Sequence, residues 1–462
     1  MTADPNPWLF ALENLSSEAV LLRLLVQLAV ILLAARVFAK LFRLVHQPGV
    51  VGEIAAGLAL GPSLLGMLWP EAFAAIFHPQ LQTLDPALSN QLFGWMLTGL
   101  SKLGVILLMF LIGLEFDYRH LKDKGRATVG ISVSGVLLPF VLGAAVAVAM
   151  HPYVAAGTSL LGFTLFLAIA LSITAVPVLG RMAMDLNITR TRVGAMAISA
   201  AAIDDATGWI LLAAVAAIVA GQFQVLPVVA MVLQTIGFCA LMFLIARPLL
   251  RRWAAHALGG DGELTLTGLA VLLVIVFVCA IATSWIGIFA VFGPFVLGAV
   301  LSDQQALCHA VSRRLGDFVN AFFVPIFFAY TGLRTDLGSL GSLDLWGWGL
   351  IILAAAVVGK LGGCALAARV TGSSWREAGC IGALMNTRAL TALVVINIGK
   401  DMGVIPDTVF AMLVLMALIT TVMTTPMLFG LMRGTELEAP VRGSGFFNPR
   451  RGAAAPGKAS RK

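Results

Sequence analysis

The sequence predicts an all-α polytopic membrane protein with about 13 transmembrane helices. Composition, hydropathy and the spacing of the apolar residues support this fold class. The chain of 462 residues is 60% hydrophobic and only 11% charged, whereas soluble domains average about 25% charged residues. Its mean hydropathy is +0.97. The apolar residues come in blocks of about 18 or more, a length that spans a hydrocarbon core of roughly 30 Å.

The apolar blocks fix the predicted helices to within a few residues. In order, the predicted helices are 18–38, 48–69, 98–116, 127–149, 158–181, 194–220, 225–246, 264–282, 285–303, 317–333, 346–369, 377–399 and 405–432. The division of 264–303 rests on the short polar interruption Thr283-Ser284-Trp285. Residues 1–17 are predicted as an external N-terminal segment, 18–432 as the transmembrane domain, and 433–462 as a disordered basic cytoplasmic tail.

Basic residues set the orientation of the chain. An external N-terminus and a cytoplasmic C-terminus place most of the 30 Lys and Arg residues in cytoplasmic segments, as the positive-inside rule requires. Only Arg23, Arg334 and Lys400 then lie on the external side. This asymmetry accounts for the net charge of +7, so nucleic-acid binding is not predicted. The expected location is the cell (inner) membrane, with the lipid bilayer as the surrounding partner.

The N-terminal residues and the cysteines indicate neither a signal peptide nor a bound group. The first ten residues carry no Lys or Arg, so the charged region of a cleavable signal peptide is missing. The five cysteines are scattered and indicate neither a disulfide framework nor a zinc site. No cofactor is predicted.

A short motif recurs in the two halves of the chain. FLIGLEFD (110–117) and AYTGLRTD (329–336) share a Gly-Leu-x-x-Asp core, and the predicted topology places them at opposite membrane faces. This arrangement indicates two inverted-topology repeats of six helices, 18–220 and 264–432, joined by the linker helix 225–246. Inverted repeats are typical of secondary transporters, whose sites lie near the bilayer midplane.

Ionisable residues meet at that depth. Asp205, in AAIDDATGW, is about 11 residues into its helix, or roughly 16 Å deep. Lys360 and Arg388 lie at similar depths in later helices. Intramembrane charges are candidates for function by default. Because adjacent residues on a helix point about 100° apart, we expect Asp204 to pair with Lys360 and Asp205 to face a water-filled cavity.

Polar residues also interrupt the fifth and twelfth helices near the midplane. ALSITAVPVLG contains Pro177, which removes a backbone hydrogen bond, and MNTRAL is the corresponding stretch of the twelfth helix. Broken helices expose carbonyls and dipole ends to ions. The sequence therefore predicts an ion-binding group and an ion-pair or coupling group. The ion-binding residues are Asp205, Asp204, Thr174 and Ser172, and the coupling residues are Lys360, Arg388, Asn386 and Thr387.

Structural explanations remain open for these residues. The Asp–Lys pair could serve only to order the bundle, although two acids against one lysine leave one acid over. Pro177 could be a harmless kink, and Arg388 could belong to a structural ion pair.

At these residues the chain resembles the monovalent cation:proton antiporter-2 family, a branch of the sodium/proton exchanger superfamily. The resemblance covers about 20–432. The stretches that carry it are QPGVVGEIAAGLALGPSLLG (47–66), LMFLIGLEFD (108–117), SITAVPVLGRM (172–182), AAIDDATGW (201–209), FFAYTGLRTDLG (327–338) and MNTRALTALVVINIG (385–399).

The resemblance implies the sodium/proton antiporter fold, with crossed broken helices, a dimerisation domain and a mobile core that works as an elevator. It also implies a homodimer, an ion-binding Asp205, and an Asp204 that pairs with Lys360. Paired-aspartate members of the family are usually electrogenic. The twelfth helix departs from the usual family pattern at Ala389 and Ala392, so Arg388 needs another partner, such as Glu115.

The predicted function is antiport of a monovalent cation, Na+ or K+, against H+, with both ions competing for Asp205. An intramembrane aspartyl protease, the enzyme alternative, would carry its acids on separate helices with a Gly-x-Gly-Asp motif, which this sequence lacks. A proton-coupled channel or a transporter-like sensor without antiport remains as the alternative.

Overall fold

The structure is a computed structural model that describes residues 16–45, 47–81, 85–115, 125–189, 191–219, 225–259, 262–388 and 390–444. The described chain is almost entirely helical. Its α-helices are α1 (Ser17–Leu44), α2 (Gly49–Leu60), α3 (Leu65–Leu68), α4 (Pro70–Phe77), α5 (Pro86–Glu115), α6 (Gly125–Val154), α7 (Leu160–Ser172), α8 (Val176–Asp185), α9 (Arg192–Val219), α10 (Val225–Leu241), α11 (Arg247–Ala257), α12 (Leu266–Ile286), α13 (Phe292–Leu301), α14 (Gln305–Val311), α15 (Val324–Leu333), α16 (Leu343–Val357), α17 (Gly363–Val370), α18 (Trp375–Met385), α19 (Leu390–Asp401), α20 (Asp407–Leu431) and α21 (Glu438–Arg442).

In the described part of the chain, four π-helical turns join or precede some of these helices. The turns are Met242–Ala246, Ser312–Gly316, Val319–Phe323 and Val358–Gly362. The first joins α10 to α11, and the last joins α16 to α17. A π-turn adds a residue to the helical ring and often marks a functional position; the turn Val358–Gly362 contains Lys360.

Side-chain caps begin several of the helices. Ser159 accepts a hydrogen bond from the backbone N–H of Gly162 at the start of α7. Ser374 and Glu377 form a reciprocal capping box at the start of α18. Such caps satisfy backbone donors that have no partner within the helix. They explain why α7 and α18, each only half of a broken span, still have defined starts.

Among the described residues, nine helices are long and apolar enough to cross a membrane, or ten if the bent pair Gln305–Gly316 and Val319–Ser339 counts as one span. Every one of the thirteen predicted segments contains at least one helix. The predicted segments missing from the nine are the two broken helices, the short α13 and the bent pair. The total of thirteen spans stays a prediction.

Several boundaries differ from the prediction. The third span begins at Pro86, twelve residues early, because Asp85 caps a polar extension through the N–H of Ala87. The seventh continues through its π-turn to Ala257. The break predicted at Thr283-Ser284-Trp285 lies after Ile286, where Gly287 adopts a positive φ of 95°. Hydropathy alone missed this turn because the flanking residues are apolar.

The tail also departs from the prediction of disorder. Residues 433–444 fold into α21 and adjoining turns, with Leu437 and Val441 fully buried. Glu436 accepts a 2.7 Å hydrogen bond from the N–H of Val193, in the first turn of α9. An acid at a helix N-terminus satisfies free donors and complements the helix dipole. The rest of the predicted tail, 445–462, lies outside the described residues, as does most of 1–17.

The helices form two packing groups. The first group contains α1, α2, α5, α12, α13 and α15, and the second contains α6, α7, α9, α16, α17, α18, α19 and α20. The second group holds every residue of the predicted site. The division into a dimerisation domain and a mobile core domain, which the family resemblance implies, stays a prediction.

Close glycine contacts inside the first group support the inverted repeat. A Cβ on Gly113 of α5 would lie 2.2 Å from Phe295 O of α13, and one on Gly332 of α15 would lie 2.4 Å from Ile54 O of α2. Gly113 and Gly332 are the glycines of the repeated Gly-Leu-x-x-Asp motif. The third span therefore packs on the ninth, and the tenth span packs on the second. These two pairs are equivalent in the inverted repeat, because the third span corresponds to the tenth and the second to the ninth.

Candidate functional site

The two adjacent acids of α9 are both fully buried. Asp204 and Asp205 each have 0% relative exposure. An ionised side chain in the centre of a bilayer costs about 2.5–3.5 kcal/mol on insertion scales. A helix that carries two such groups therefore needs partners for both of them.

Asp204 has a complete set of partners. Its Oδ2 accepts a 2.5 Å hydrogen bond from Lys360 Nζ and a 2.9 Å bond from Thr174 Oγ1. Its Oδ1 accepts a 2.5 Å bond from Ser132 Oγ. The predicted contact between Asp204 and Lys360 is present, and Ser132 of α6 is a partner that the sequence did not reveal.

Lys360 is held by backbone carbonyls as well as by Asp204. Its Nζ donates to Gly135 O at 2.8 Å and to Ser172 O at 2.5 Å. Both carbonyls are free for local reasons. Pro139 has no N–H to bond the carbonyl four residues earlier, that of Gly135, and Ser172 is the last residue of α7. Three acceptors therefore match the three protons of the ammonium group.

The two broken helices cross beside this pair. The N–H of Ala175, between α7 and α8, donates to Thr387 O, between α18 and α19, at 3.1 Å. Thr174 Oγ1 also lies 3.3 Å from Met385 O. Residues at one break therefore donate hydrogen bonds to backbone carbonyls at the other. Irregular backbone is tolerated at membrane depth only where its polar groups find such partners within the protein.

Ser172 and Thr387 contribute to the crossing mainly through their backbone carbonyls rather than their hydroxyls. The Ser172 hydroxyl donates back to Ala168 O at 2.7 Å, and the Thr387 hydroxyl lies 3.3 Å from Thr424 Oγ1. Their carbonyls bond Lys360 and Ala175, as described above. Thr174 also serves Asp204, so in this structure Ser172 and Thr174 support the Asp204–Lys360 pair.

Arg388 is fully buried and bonds carbonyls. Its Nη1 donates to Ala170 O at 3.0 Å and its Nη2 to Ala356 O at 3.2 Å. Ala170 lies in the last turn of α7, and Ala356 lies just before the π-turn of Lys360, where helical bonding changes. No ion pair of Arg388 occurs among the described side chains. The side chain of Glu115, the partner suggested by sequence, lies outside that set, as does Ala389.

Asp205 differs from Asp204 in having no hydrogen-bond partner for either carboxylate oxygen within the described part of the chain. Thr391 of α19 and Trp209 of α9 lie close enough to the carboxylate to act towards it as hydrogen-bond donors, although neither makes a hydrogen bond of normal length and angle. The Thr391 hydroxyl and the Trp209 indole N–H are themselves without partners among the described residues, as are both amide atoms of Asn386. Unpaired buried polar groups cost about 1–3 kcal/mol each, so Asp205, Thr391 and Trp209 form the candidate ion-binding cluster.

Sequence reasoning missed Thr391 and Trp209. Trp209 follows Asp205 by four residues, so helical spacing puts both on one face of α9. Thr391 is the second residue of α19, directly after the break. The i, i+4 rule could have found Trp209, whereas Thr391 required the packing of two distant helices.

A cavity of about 540 Å³ lies between the two packing groups. Its walls come from α5, α15 and the turn between α12 and α13 on one side, and from α9 and α19 on the other. The lining residues include Ala216, Phe289, Val394 and Asn397. Trp209 lies between Asp205 and Ala216 along α9, and its ring centroid is 6.3 Å from that of Phe289. The cavity therefore lies along α9 and α19 on the Trp209 side of Asp205, and Asp205 itself is not one of its lining residues.

Ion pairs connect the two packing groups across one end of this cavity. Arg334 Nη2 lies 2.7 Å from Asp401 Oδ1, and Arg334 Nη1 donates to Asn397 Oδ1 at 3.1 Å. Lys102 Nζ lies 3.8 Å from Asp401 Oδ2. In the predicted topology this end is external. The ion pairs join α5 and α15 of the first group to α19 of the second.

Comparison with known proteins identifies the family to which this arrangement belongs. Residues 28–433 match the transmembrane region of the sodium/hydrogen exchangers. The chain belongs to the sodium/hydrogen exchanger family. It is therefore a multi-pass membrane protein in a family of transporters.

Individual exchanger relatives are named for several cations. The Na(+)/H(+) antiporter NhaS4 of Synechocystis is 37% identical over 414 residues, which cover 88% of this chain and 96% of that protein. The Na(+)/H(+)-K(+) antiporter GerN of Bacillus cereus is 30% identical over 87% of this chain and 94% of its own length. The K(+)/H(+) antiporter 1 of Saccharomyces cerevisiae is 31% identical, and this chain spans only 46% of it.

The fold agrees with a solved exchanger structure. The sodium proton antiporter MjNhaP1 of Methanocaldococcus jannaschii superposes with a TM-score of 0.53 over 92% of this chain and 100% of that one, at 15% identity. The predicted antiporter fold is thereby confirmed, while the predicted family is confirmed by the sequence matches.

Proposed function

We propose that this protein exchanges a monovalent cation, Na+ or K+, for protons across the membrane, and that Asp205 binds the two ions in turn. One observation carries the proposal. Asp205 is fully buried with two partnerless oxygens, directly beside an Asp204 whose oxygens are all engaged. A carboxylate in this setting binds either a proton or a small cation but not both. That competition couples the two fluxes.

The proposed movement uses the division into two packing groups. The second group carries Asp204, Asp205, Lys360 and both broken helices, so it would move as the carrier against the first group. The cavity between the groups would then give access to Asp205 from one side. Antiport requires that access alternate between the two membrane faces, and the ion pairs of Arg334 and Asp401 would have to open in each cycle.

The proposed exchange is electrogenic. The family resemblance supports this proposal, because paired-aspartate members of the family are usually electrogenic. In this chain the second aspartate is Asp204, which lies 2.5 Å from Lys360 Nζ.

The proposed assembly is a homodimer in the cell membrane, with the N-terminus outside and the C-terminus in the cytoplasm. The family resemblance supports this assembly. The structure adds broad exposed apolar surfaces on α1 and α10, which fit contact with lipid or with a second copy. The apolar residues are Leu22, Leu25, Leu33, Leu41, Leu226, Leu233 and Ile236.

Reconstitution in liposomes tests the proposal directly. An imposed proton gradient, followed with a lumenal pH dye, should collapse when Na+ or K+ is added, and the cation that acts names the substrate. Clamping the membrane potential with valinomycin in K+ for the Na+ reaction should change the rate if exchange is electrogenic. A proton leak that needs no cation would favour a channel, and no response to any cation would favour a sensor.

A further inference from the structure

Thr391, in α19 of the second packing group, differs from most other buried threonines in its hydrogen bonding. Its side chain is fully buried and its hydroxyl has no partner in the described part of the chain. Other buried threonines nearby bond a carbonyl four residues earlier, as Thr420 does to Met416 O at 2.8 Å and Thr424 does to Thr420 O at 3.0 Å. This back-bonding is the usual solution for a hydroxyl inside a helix.

The break in the twelfth span denies Thr391 that solution. The residue four positions earlier is Thr387, which lies in the irregular stretch between α18 and α19. The Thr387 carbonyl accepts the N–H of Ala175 instead. The crossing of the two broken helices thus leaves the Thr391 hydroxyl without a bond to its own helix, and this hydroxyl instead acts as a donor towards Asp205.

Among the uncharged and cationic side chains that interact with Asp205, which are Thr391, Trp209 and Lys360, the chemistry singles out Thr391. A hydroxyl has two acceptor lone pairs and can coordinate a cation, whereas the indole of Trp209 and the ammonium of Lys360 are donors only. Small hard cations prefer oxygen ligands. Thr391 and Asp205 supply such oxygens from two different helices, α19 and α9, at one depth.

We propose that the Thr391 hydroxyl is a ligand of the transported cation, opposite Asp205. This proposal rests on the proposed antiport and adds a ligand from the second broken helix. A proton on Asp205 needs no second ligand, because the O–H bond is complete and only requires an acceptor. Loss of the Thr391 hydroxyl therefore weakens the cation form of the site far more than the proton form.

The variants Thr391→Val and Thr391→Ser test this role. Valine keeps the shape and removes the oxygen, and serine keeps the oxygen. We expect Thr391→Val to raise the cation concentration for half-maximal exchange roughly tenfold or more, the scale of a lost hydrogen bond to a charged group. Thr391→Ser should stay close to wild type. Thr425 offers a matched control, since its hydroxyl is also buried and partnerless among the described residues, so Thr425→Val should not alter this concentration.

A second measurement uses cation-dependent thermal stabilisation in detergent. A ligand that binds only the folded protein raises its stability with ligand concentration. Wild type and Thr391→Ser should show the same dependence on Na+ or K+, while Thr391→Val should need about ten times more cation for the same shift. Without cation, Thr391→Val should melt no lower than wild type, because it removes an unsatisfied buried hydroxyl. If that variant fails to insert, Thr391→Ala takes its place with the same expected result.

The outcomes separate this proposal from the proposed function. Wild-type exchange with unchanged cation dependence in Thr391→Val would overturn the role of Thr391 and leave antiport intact. Equal loss in Thr425→Val would show a general packing effect and would also overturn it. Absence of exchange and of cation stabilisation in wild type would contradict the antiport proposal itself.

Discussion

Removing the charge of Asp204 should destabilise the protein strongly as long as Lys360 remains. Lys360 is fully buried and has three acceptors, of which Asp204 is the only one with a charge among the described residues. The variant Asp204→Asn would leave an ammonium group in the membrane interior with two neutral carbonyls. Removing one partner of a buried ion pair typically costs about 3–5 kcal/mol, because the other charge stays buried and uncompensated.

The double variant Asp204→Asn/Lys360→Met distinguishes a stranded charge from a general packing defect. Methionine has a similar length and no charge, so the double variant should recover much of the lost stability. An exposed pair gives the control. Arg313 lies 2.7 Å from Glu263, with side chains 63% and 35% exposed, and Glu263→Gln should change stability by only about 0–1 kcal/mol.

The assay is thermal melting in detergent, with chemical unfolding for the energies. Asp204→Asn should melt well below wild type, and the double-mutant cycle should give a coupling of several kcal/mol between positions 204 and 360. An unchanged melting curve for Asp204→Asn, or a double variant less stable than Asp204→Asn, would refute the reasoning that this pair neutralises a buried charge.

Three further variants probe other parts of the structure. Gly135→Ala should lower both stability and exchange, because the added Cβ would lie 2.5 Å from the Cys364 sulfur and close to Lys360; unchanged melting would show that α6 can move aside. Burial alone would raise the pKa of Asp303, in the loop after α13, but hydrogen bonds from Arg251 and Arg247 outweigh it and the pKa lies below its usual value. Asp303→Asn should therefore melt lower than wild type at neutral pH, and the difference should shrink as pH falls below about 4; a difference that persists in acid would rule out this linkage. In the double variant Arg334→Cys/Asp401→Cys, a cleavable thiol cross-linker about as long as an arginine side chain would hold the two packing groups together. Cross-linking should therefore stop exchange, and reductive cleavage of the linker should restore it.

The cross-link has a matched control at the same end of the molecule. Lys400 and Asp407 form a 2.8 Å ion pair between α19 and α20, two helices that both belong to the second packing group. Cross-linking Lys400→Cys to Asp407→Cys should leave exchange active. If the Arg334–Asp401 cross-link also leaves exchange active, the two packing groups do not need to separate there during transport.

The sequence predicted the parts of the site that depend on helical spacing and membrane depth. Asp204, Lys360 and the two interrupted helices were found because charges and breaks are rare in apolar segments. The division of labour between Asp204 and Asp205 follows from the 100° angle between neighbouring residues, and the structure shows the same difference in their partners. The roles of these residues in ion binding remain proposals.

The missed features all depend on contacts between distant segments. The carbonyl of Gly135 is free because of Pro139, but only the packing of α6 on α16 and α17 brings Lys360 to it. Thr391 resembles many other threonines until the crossing at Thr387 is known. The ordered start of the tail was missed because Leu437 and Val441 are too few to form a hydropathy signal.

The most direct test compares wild type with Asp205→Asn in liposomes that carry a proton gradient. The matched control is Asp407→Asn, which changes a carboxylate that is 74% exposed at the start of α20. We expect cation-dependent collapse of the gradient in wild type and Asp407→Asn, and none in Asp205→Asn, although all three insert and melt as folded proteins. Full exchange by Asp205→Asn would contradict the assignment of the ion site to Asp205.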